Sequence, residues 1–401
     1  MKIFYEVGTS FYFLMVRIAS LWNSKAKLFV QGRNDSWNIL KGFNAEGKEV
    51  FWFHCASLGE FEQARPLIEK LKDANDCKIV ITFFSPSGYE IRKKYDRADS
   101  ILYLPRDSVK NAKKFLNIVN PSKIFFIKYE FWANYLVEAN KKLIPTYLVS
   151  GVFRKNQVFF KWYGGFMREI LNSFDTLFLQ DENSKILLNG INISSVVTGD
   201  TRYDRVMQNA EKVKRFPVIE KFIDNSKTLV VGSCWIEDES IVFPILNELT
   251  TEKIIIAPHE IDESHLLNIE KSLQKKVLRY SVIESTENVN DYEVLLIDNI
   301  GILMHLYQYA DVAYIGGAFA KGLHNILEPA SFGVPVIFGN KYSKFPEAYQ
   351  FIDAKIGFSI NDSNEFSKVY SKLLSKNMTN KVSQFMNSQK GASEKIMSEI
   401  F

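Results

Sequence analysis

Between residues 50 and 199 seven short runs of β-branched and aromatic residues recur: VFWFH (50–54), KIVITFF (78–84), SILYL (100–104), KIFFIKY (123–129), PTYLVS (145–150), DTLFL (175–179) and SVVTG (195–199). Amphipathic stretches such as DSVKNAKKFLNIVN (107–120) lie between most of them. Strand runs that are apolar almost throughout are buried on both faces, and their alternation with helices implies a parallel sheet covered on both sides. The pattern lapses over 205–226, which is charged and carries no strand signal. It resumes with TLVVGS (228–233), KIIIAP (253–258), VLRYS (277–281), YEVLLID (292–298), VAYIGG (312–317) and PVIFG (335–339). The sequence therefore predicts an α/β chain with two doubly wound, Rossmann-like domains facing across a cleft. The expected boundaries are an N-terminal segment 1–24, a first domain 25–205, a linker 206–226, a second domain 227–377 and a C-terminal helix 378–401. A length of 401 residues is comfortable for two such domains. Ligands of these sheets bind beyond the carboxyl ends of the strands, so the residues that follow strands carry the functional information.

Composition removes several classes. A formal charge of +4 gives no case for a nucleic-acid partner. Cys55, Cys77 and Cys234 have no metal-ligand spacing and fit a reduced compartment, and the five histidines contain no H-E-x-x-H. No G-x-G-x-x-G follows the first strand and no G-x-x-x-x-G-K-[ST] occurs, which argues against a dinucleotide dehydrogenase and a P-loop NTPase. At the N-terminus, FYEVGTSFYFLMVRIASL (4–21) is dominated by large apolar residues but broken by Glu6 and Arg17, marginal for a span of about 20 residues. No A-x-A-like cleavage site follows, and Lys25, Lys27 and Arg33 do. The expectation is an uncleaved membrane anchor or interfacial helix; the plainer reading is a buried first helix.

HCASLGE (54–60) runs from the first strand into a helix. Ser57 and Glu60 match a capping box, S-x-x-E, so Glu60 is as well explained by capping as by chemistry from this stretch alone. IKYEFWANYL (127–136) places Glu130 just after a strand, and TGDTRYD (198–204) places Arg202 near the domain junction; an acidic cap and a solvated arginine are the plainer readings. In the second half GSCWIEDES (232–240) presents Ser233, APHE (257–260) presents Pro258 and His259, and DNIG (298–301) presents Gly301, each at a strand end. The segment GGAFAKGLHNILEPASFGVPVIFG (316–339) is the most informative. Gly316 and Gly317 would let backbone approach a ligand. A helix starting near His324-Asn325 would offer free N–H groups to phosphate. Glu328, one turn in, could accept hydrogen bonds from ribose hydroxyls.

Taken together, these segments resemble the Kdo transferases, which add 3-deoxy-D-manno-octulosonic acid to a lipid A precursor and have the GT-B fold. HCASLGE resembles the family's segment around its catalytic glutamate, IKYEFWANYL its glutamate-tryptophan motif and TGDTRYD its Thr-Gly-Asn-x-Lys-Phe-Asp motif. GSCWIEDES, APHE, DNIG and the 316–339 segment resemble its nucleotide-side motifs, in the same order. The resemblance implies Glu60 as general base, with Glu130 and Arg202 supporting the transition state. It implies contacts to CMP from Pro258, His259, Ile300, Gly301, Ile302, Asn325, Ile326, Leu327 and Glu328, to which the reading of the strand ends adds Ser233, Gly316, Gly317 and His324 on the donor side. Ser57, Gly59 and Arg33 are expected on the acceptor side. The family usually has lysine at Arg202, arginine at His259 and glutamate at Ile302, which points to a divergent branch. The implied reaction is inverting transfer of Kdo from CMP-Kdo to lipid IVA in lipopolysaccharide inner-core biosynthesis. It needs no cofactor or metal and takes place at the cytoplasmic face of the inner membrane. The alternatives are another GT-B enzyme using a UDP-sugar on a lipid or cell-wall acceptor, and a two-domain protein that binds a ligand without chemistry.

Overall fold

The structure is a computed structural model that describes residues 2–401. It divides into two compact units, one formed by the chain up to Arg205 together with Lys390–Phe401, the other by Val206–Gln389.

The first unit is built on seven parallel strands: β1 (Val50–Cys55), β2 (Lys78–Phe83), β3 (Ser100–Tyr103), β4 (Lys123–Ile127), β5 (Thr146–Gly151), β6 (Thr176–Leu179) and β7 (Val196–Val197). Their order is β3-β2-β1-β4-β5-β6-β7. The sheet is wound outward in both directions from β1 and β4, so the chain reverses direction of winding between these two strands. β1 shows why its sequence does not alternate: all six residues are buried. Phe51 and Phe53 join one core with Phe61, Leu67 and Ile68, and Trp52 joins the opposite core with Phe115 and Tyr135. Each face of the sheet therefore receives large side chains, and Phe53 stacks on Phe125 of β4 at 4.5 Å between ring centres.

Two helices precede the sheet, α1 (Lys2–Ala19) and α2 (Ser24–Lys41). The α1 helix is docked along one side: the Tyr5 hydroxyl donates to Asp107 Oδ2 at 2.5 Å and accepts from the Ala133 N–H at 3.2 Å, and Tyr12 and Phe13 lie against Phe29 of α2. Ile3, Phe4, Val7, Phe11 and Leu14 are each more than half exposed. Among the described residues no helix is long and apolar enough to cross a membrane, because polar residues such as Glu6, Thr9, Ser10 and Arg17 punctuate α1.

The second unit repeats the architecture with β8 (Thr228–Cys234), β9 (Lys253–Pro258), β10 (Val277–Arg279), β11 (Val294–Leu296), β12 (Val312–Ile315), β13 (Val336–Phe338) and β14 (Gly357–Ser359), in the order β10-β11-β9-β8-β12-β13-β14, again all parallel. Here the winding reverses between β8 and β12. The thirteen expected strand runs all fall on strands, and β14 is an addition. Residues 206–226 hold the end of the helix Thr201–Glu211 and a short helix Pro217–Ile223. The 378–401 stretch forms two helices, Thr379–Gln389 and Ala392–Ile400, where one was expected. The break falls at Gly391, whose φ of +102° is left-handed, and the N–H groups of Gly391 and Ser393 donate to Asp204, tying the last helix to the first unit.

Candidate active site

In the first unit the switch point between β1 and β4 is where the two expected carboxylates emerge. β1 ends at Cys55, and the helix α3 (Leu58–Ala74) begins three residues later with Ser57 as its N-cap. The Ser57 hydroxyl accepts from the Glu60 N–H at 3.5 Å, and the Glu60 carboxylate accepts from the Ala56 N–H at 2.5 Å. Glu60 is thus a cap in fact, although it reaches the N–H before the cap residue rather than that of Ser57 itself. Capping does not exhaust its role. Burial, and then the negative charge of Glu130, push the Glu60 carboxyl from an ordinary 4.5 up to about 8. A carboxyl held near neutral pH at a strand-end switch point is placed to take or give a proton under working conditions. Gly59 is exposed, and a Cβ there would meet nothing nearer than the Ser57 hydroxyl at 4.0 Å, so packing does not demand glycine.

Glu130 follows β4 across Lys128, whose φ of +64° turns the chain sharply. Its Oε2 accepts from the indole N–H of Trp132 at 2.6 Å and is 3.0 Å from Nε2 of the fully buried His54. The Lys128 charge acts on Glu60 in the opposite sense to Glu130, favouring its ionised form. Arg202 lies at the start of the helix after β7, where its side chain is clamped to Asp200 by Nε and Nη2 at 2.8 and 2.7 Å. Asp200 is buried, which alone would raise its carboxyl, but Arg202 brings it below the usual carboxylate range. Gln63, one helical turn after Glu60, donates to Asp200 at 3.3 Å, and so docks this segment on α3. Glu60, Glu130 and Arg202 therefore gather on one edge, with Tyr129 feeling the charge of both Glu60 and Arg202.

Arg33 departs from expectation. It is a buried residue of α2, not a solvent-facing cation. Its guanidinium donates to the carbonyls of Phe29 (3.2 Å) and Phe84 (2.8 Å) and lies 3.4 Å from the centre of the Phe29 ring. Burial brings its pKa down to about 9. It still borders a pocket of about 340 Å³ whose walls include Phe13, Leu14, Arg17, Trp37 and Arg106. Lys25, Lys27 and Lys41 are exposed.

In the second unit the expected residues lie on the carboxyl edges of adjacent strands. The Trp235 ring stacks on His259 at 4.2 Å, His259 lies 4.7 Å from His324, and the Trp235 indole N–H donates to His324 Nε2 at 3.0 Å. Lys321 caps the outer face of Trp235 at 4.0 Å. This brings the ends of β8, β9 and β12 together through Ser233, Pro258–His259 and His324. Burial, then His259, hold His324 down to about 4, so it is neutral at physiological pH. Its Nε2 accepts, which leaves the proton on Nδ1.

The glycine pair has a different use from the expected one. A Cβ on Gly316 would lie 2.4 Å from the Ser233 carbonyl oxygen, and one on Gly317 would lie 2.3 Å from that of Gly322. The close approaches are within the protein itself, Gly316 against the end of β8 and Gly317 against the turn at Gly322. Asp238 locks them, accepting from Gly317 N–H, Trp235 N–H and the Tyr314 hydroxyl at 2.8, 2.9 and 2.8 Å. The helix expected at His324-Asn325 begins only at Leu327, after Ile326, and runs five residues. Asn325 supplies its cap, its Oδ1 accepting from Leu327 N–H at 3.1 Å and its Nδ2 donating to Glu328 at 3.0 Å. Ile300 is 86% exposed, Gly301 has a left-handed φ of +99°, and Ile302 precedes the short helix Leu303–Leu306. That helix packs on β8, with Leu303 and Tyr307 occupying the space a Cβ on Gly232 would need. Among the described residues no three His, Cys, Asp or Glu side chains form a metal-binding group.

Sequence reasoning passed over His54, Trp132, Lys128, Asp200 and Trp235 as individual participants. A histidine inside an apolar strand, VFWFH, was the available signal for His54, since a buried imidazole needs a partner.

The family model described as 3-deoxy-D-manno-octulosonic-acid transferase (kdotransferase) matches residues 32–205. The 3-deoxy-D-manno-octulosonic acid transferase of Aquifex aeolicus is 26% identical over 86% of this chain and 91% of its own length. That of Chlamydia trachomatis serovar D is 28% identical over 84% and 81%. A bifunctional glycosyltransferase/methyltransferase of Fusobacterium nucleatum is 26% identical over 86% of this chain, which spans 55% of that longer protein. Among solved structures, a UDP-GlcNAc 2-epimerase from Neisseria meningitidis matches with a TM-score of 0.60 at 18% identity, covering 88% of this chain and 98% of the other, which shows a shared two-domain fold. With a family model matching its first half and relatives of one kind matching most of its length, the chain is similar to the Kdo transferases, a family of glycosyltransferases.

Proposed function

We propose that this protein transfers Kdo from CMP-Kdo to a hydroxyl of a lipid A precursor, lipid IVA, with inversion, at the cytoplasmic face of the inner membrane. The observation that carries the reading is Glu60, a carboxyl raised to about 8 on the edge where β1 and β4 diverge, beside Glu130. A hydroxyl is a weak nucleophile until a base takes its proton. In the proposed step the acceptor oxygen forms a bond to the anomeric carbon of Kdo and its proton passes to Glu60. The bond from that carbon to the CMP phosphate breaks, and CMP leaves with the electron pair. Glu130 and Arg202 hold charge around the developing cationic sugar and its carboxylate. In the second unit Ser233, His259, His324 Nδ1–H and the backbone about Asn325–Glu328 offer donors to the nucleotide, and Glu328 offers an acceptor to its ribose.

The acceptor side is read from α1 and α2. The exposed apolar side of α1 suits a membrane interface, and the pocket bordered by Phe13, Leu14, Arg17, Arg33 and Arg106 joins apolar walls to cations, as a phosphorylated lipid requires. The test is direct. Protein in detergent is incubated with CMP-Kdo and lipid IVA, with and without chelator, and the products are weighed. The expected result is lipid IVA heavier by whole Kdo residues, one CMP per residue added, and no loss on chelation. Consumption of a UDP-sugar with CMP-Kdo untouched would replace the donor.

A further inference from the structure

His54 has both ring nitrogens engaged in a buried site, and the partners determine where its proton sits. Nδ1 is 2.8 Å from the Thr82 hydroxyl, its register partner on β2, and Nε2 is 3.0 Å from Glu130 Oε2. The Thr82 oxygen already accepts the indole N–H of Trp52 at 2.8 Å. Thr82 has one hydrogen to give. It can go to His54 Nδ1 at 2.8 Å or to the Phe53 carbonyl at 3.4 Å, and the shorter contact is the better bond. The Trp132 indole nitrogen lies 2.9 Å from His54 Nε2 and 2.6 Å from Glu130 Oε2, and its one hydrogen goes to the shorter, charge-assisted contact with the carboxylate. If instead the ring proton sat on Nδ1, the Nε2 lone pair would face that carboxylate oxygen at 3.0 Å, and the two acceptors would compete for the single Trp132 hydrogen. One arrangement satisfies every group: Trp52 donates to Thr82, Thr82 donates to Nδ1, and Nε2–H donates to Glu130, which also receives the Trp132 N–H. Trp52, Thr82 and His54 are all fully buried, so water does not substitute for any member.

We infer that His54 is a positioning residue for the transfer reaction, fixed by Thr82 and Trp52 as the Nε2–H tautomer so that it clamps Glu130 Oε2 from the interior. Trp132 grips the same oxygen from the outer side. Phe84 lies 4.9 Å from the Trp132 ring, and its own carbonyl is held by Arg33, so that grip is anchored as well. Both fixed donors converge on Oε2, which leaves Oε1 as the oxygen presented away from them. This inference rests on the reading that Glu130 acts in the reaction, and displacement of a reacting-site group by about 1 Å can cost on the order of 10²-fold in rate.

The test separates the clamp from that reading. Nitrogen NMR of histidine-labelled full-length protein in detergent reports the tautomer of each of five histidines, and His54→Gln identifies the His54 signals. The expected result is a proton on Nε2 and an acceptor pattern on Nδ1; a proton on Nδ1 alone overturns the inference whatever the activity. For the positioning role, His54→Leu fills the site without a donor, and His54→Gln restores an N–H at about the Nε2 position. His54→Leu should lose roughly ten- to a hundred-fold in kcat with the KM for CMP-Kdo within a few-fold, and His54→Gln should recover most of the loss. Equal activity of His54→Leu and wild type, or equal loss in both variants at equal melting temperature, overturns the positioning role. Glu130→Gln is the separate control: if it keeps wild-type kcat, the fault lies in the reading of Glu130, while the tautomer result still stands or falls alone.

Discussion

Replacing Glu60 by Gln asks of one side chain both questions raised by its position. The amide oxygen can still accept the Ala56 N–H, and Ser57 still caps α3, so the helix start is kept. The carboxylate charge is lost. Because burial and Glu130 raise the folded-state value from 4.5 to about 8, the folded protein holds more protons than the unfolded chain throughout that window. The sign follows: wild-type stability falls as pH rises from about 4.5 to about 8, and the Gln variant lacks this term. At 1.36 kcal/mol per unit, the wild type should lose on the order of 3 kcal/mol relative to the variant between pH 5 and pH 8, whatever constant the amide N–H₂ adds. Thermal melting of both proteins at pH 5, 6, 7 and 8 measures it, and the expected picture is a gap between the two curves that shifts steadily in favour of Gln as pH rises. Turnover on CMP-Kdo moves the other way, falling about 10²–10⁴-fold, since an amide cannot take the acceptor proton. The wild-type rate should climb with pH through about 8 as Glu60 ionises. Parallel melting curves would refute the buried-charge argument, and near-normal turnover by the Gln variant would refute the base.

Three further perturbations address the second unit and α1. Gly316→Ala places a methyl 2.4 Å from the Ser233 carbonyl oxygen and 2.5 Å from the Cys234 Cα, both backbone, so it should cost roughly 1–3 kcal/mol; denaturant unfolding that matches wild type would contradict the crowding. Glu328→Ala removes the proposed ribose acceptor and the partner of Asn325, and should weaken CMP binding about tenfold by calorimetry with the melting temperature nearly kept; unchanged affinity takes Glu328 out of the site. Serine at Phe4, Val7 and Phe11 together should lower co-sedimentation with anionic vesicles several-fold while leaving the Tyr5–Asp107 hydrogen bond and the fold in place, whereas binding equal to wild type would dismiss α1 as the membrane contact.

What the sequence determined by itself was the layering. Near-continuous apolar runs such as VFWFH can be satisfied only between two covering layers, so a parallel sheet with helices on both faces follows from local composition, and the positions after the strands follow with it. Glu60, Glu130 and Arg202 were legible for that reason: each stands next to a strand end or a motif that the chain displays in one dimension. The capping role of Glu60 was equally legible, because a cap is made within four residues. Tertiary structure alone decided the electrostatics and the contacts. Glu60 is raised first by burial under the folded chain and then by a carboxylate seventy residues away in sequence, Glu130, brought beside it by the β1–β4 pairing, and no local pattern contains either. Arg33 looked like one more cation of a basic flank, yet the aromatic side chains of α1, α2 and the β2–helix turn close around it and bury it. The Gly316–Gly317 pair looked made for a ligand, yet the backbone of β8 crowds Gly316 and the backbone at Gly322 crowds Gly317. The Trp52–Thr82–His54–Glu130 chain joins three strand segments through side chains whose partners depend on register. A one-residue shift of β1 against β2 would turn Thr82 and His54 to opposite faces, so the network exists only once the sheet has formed.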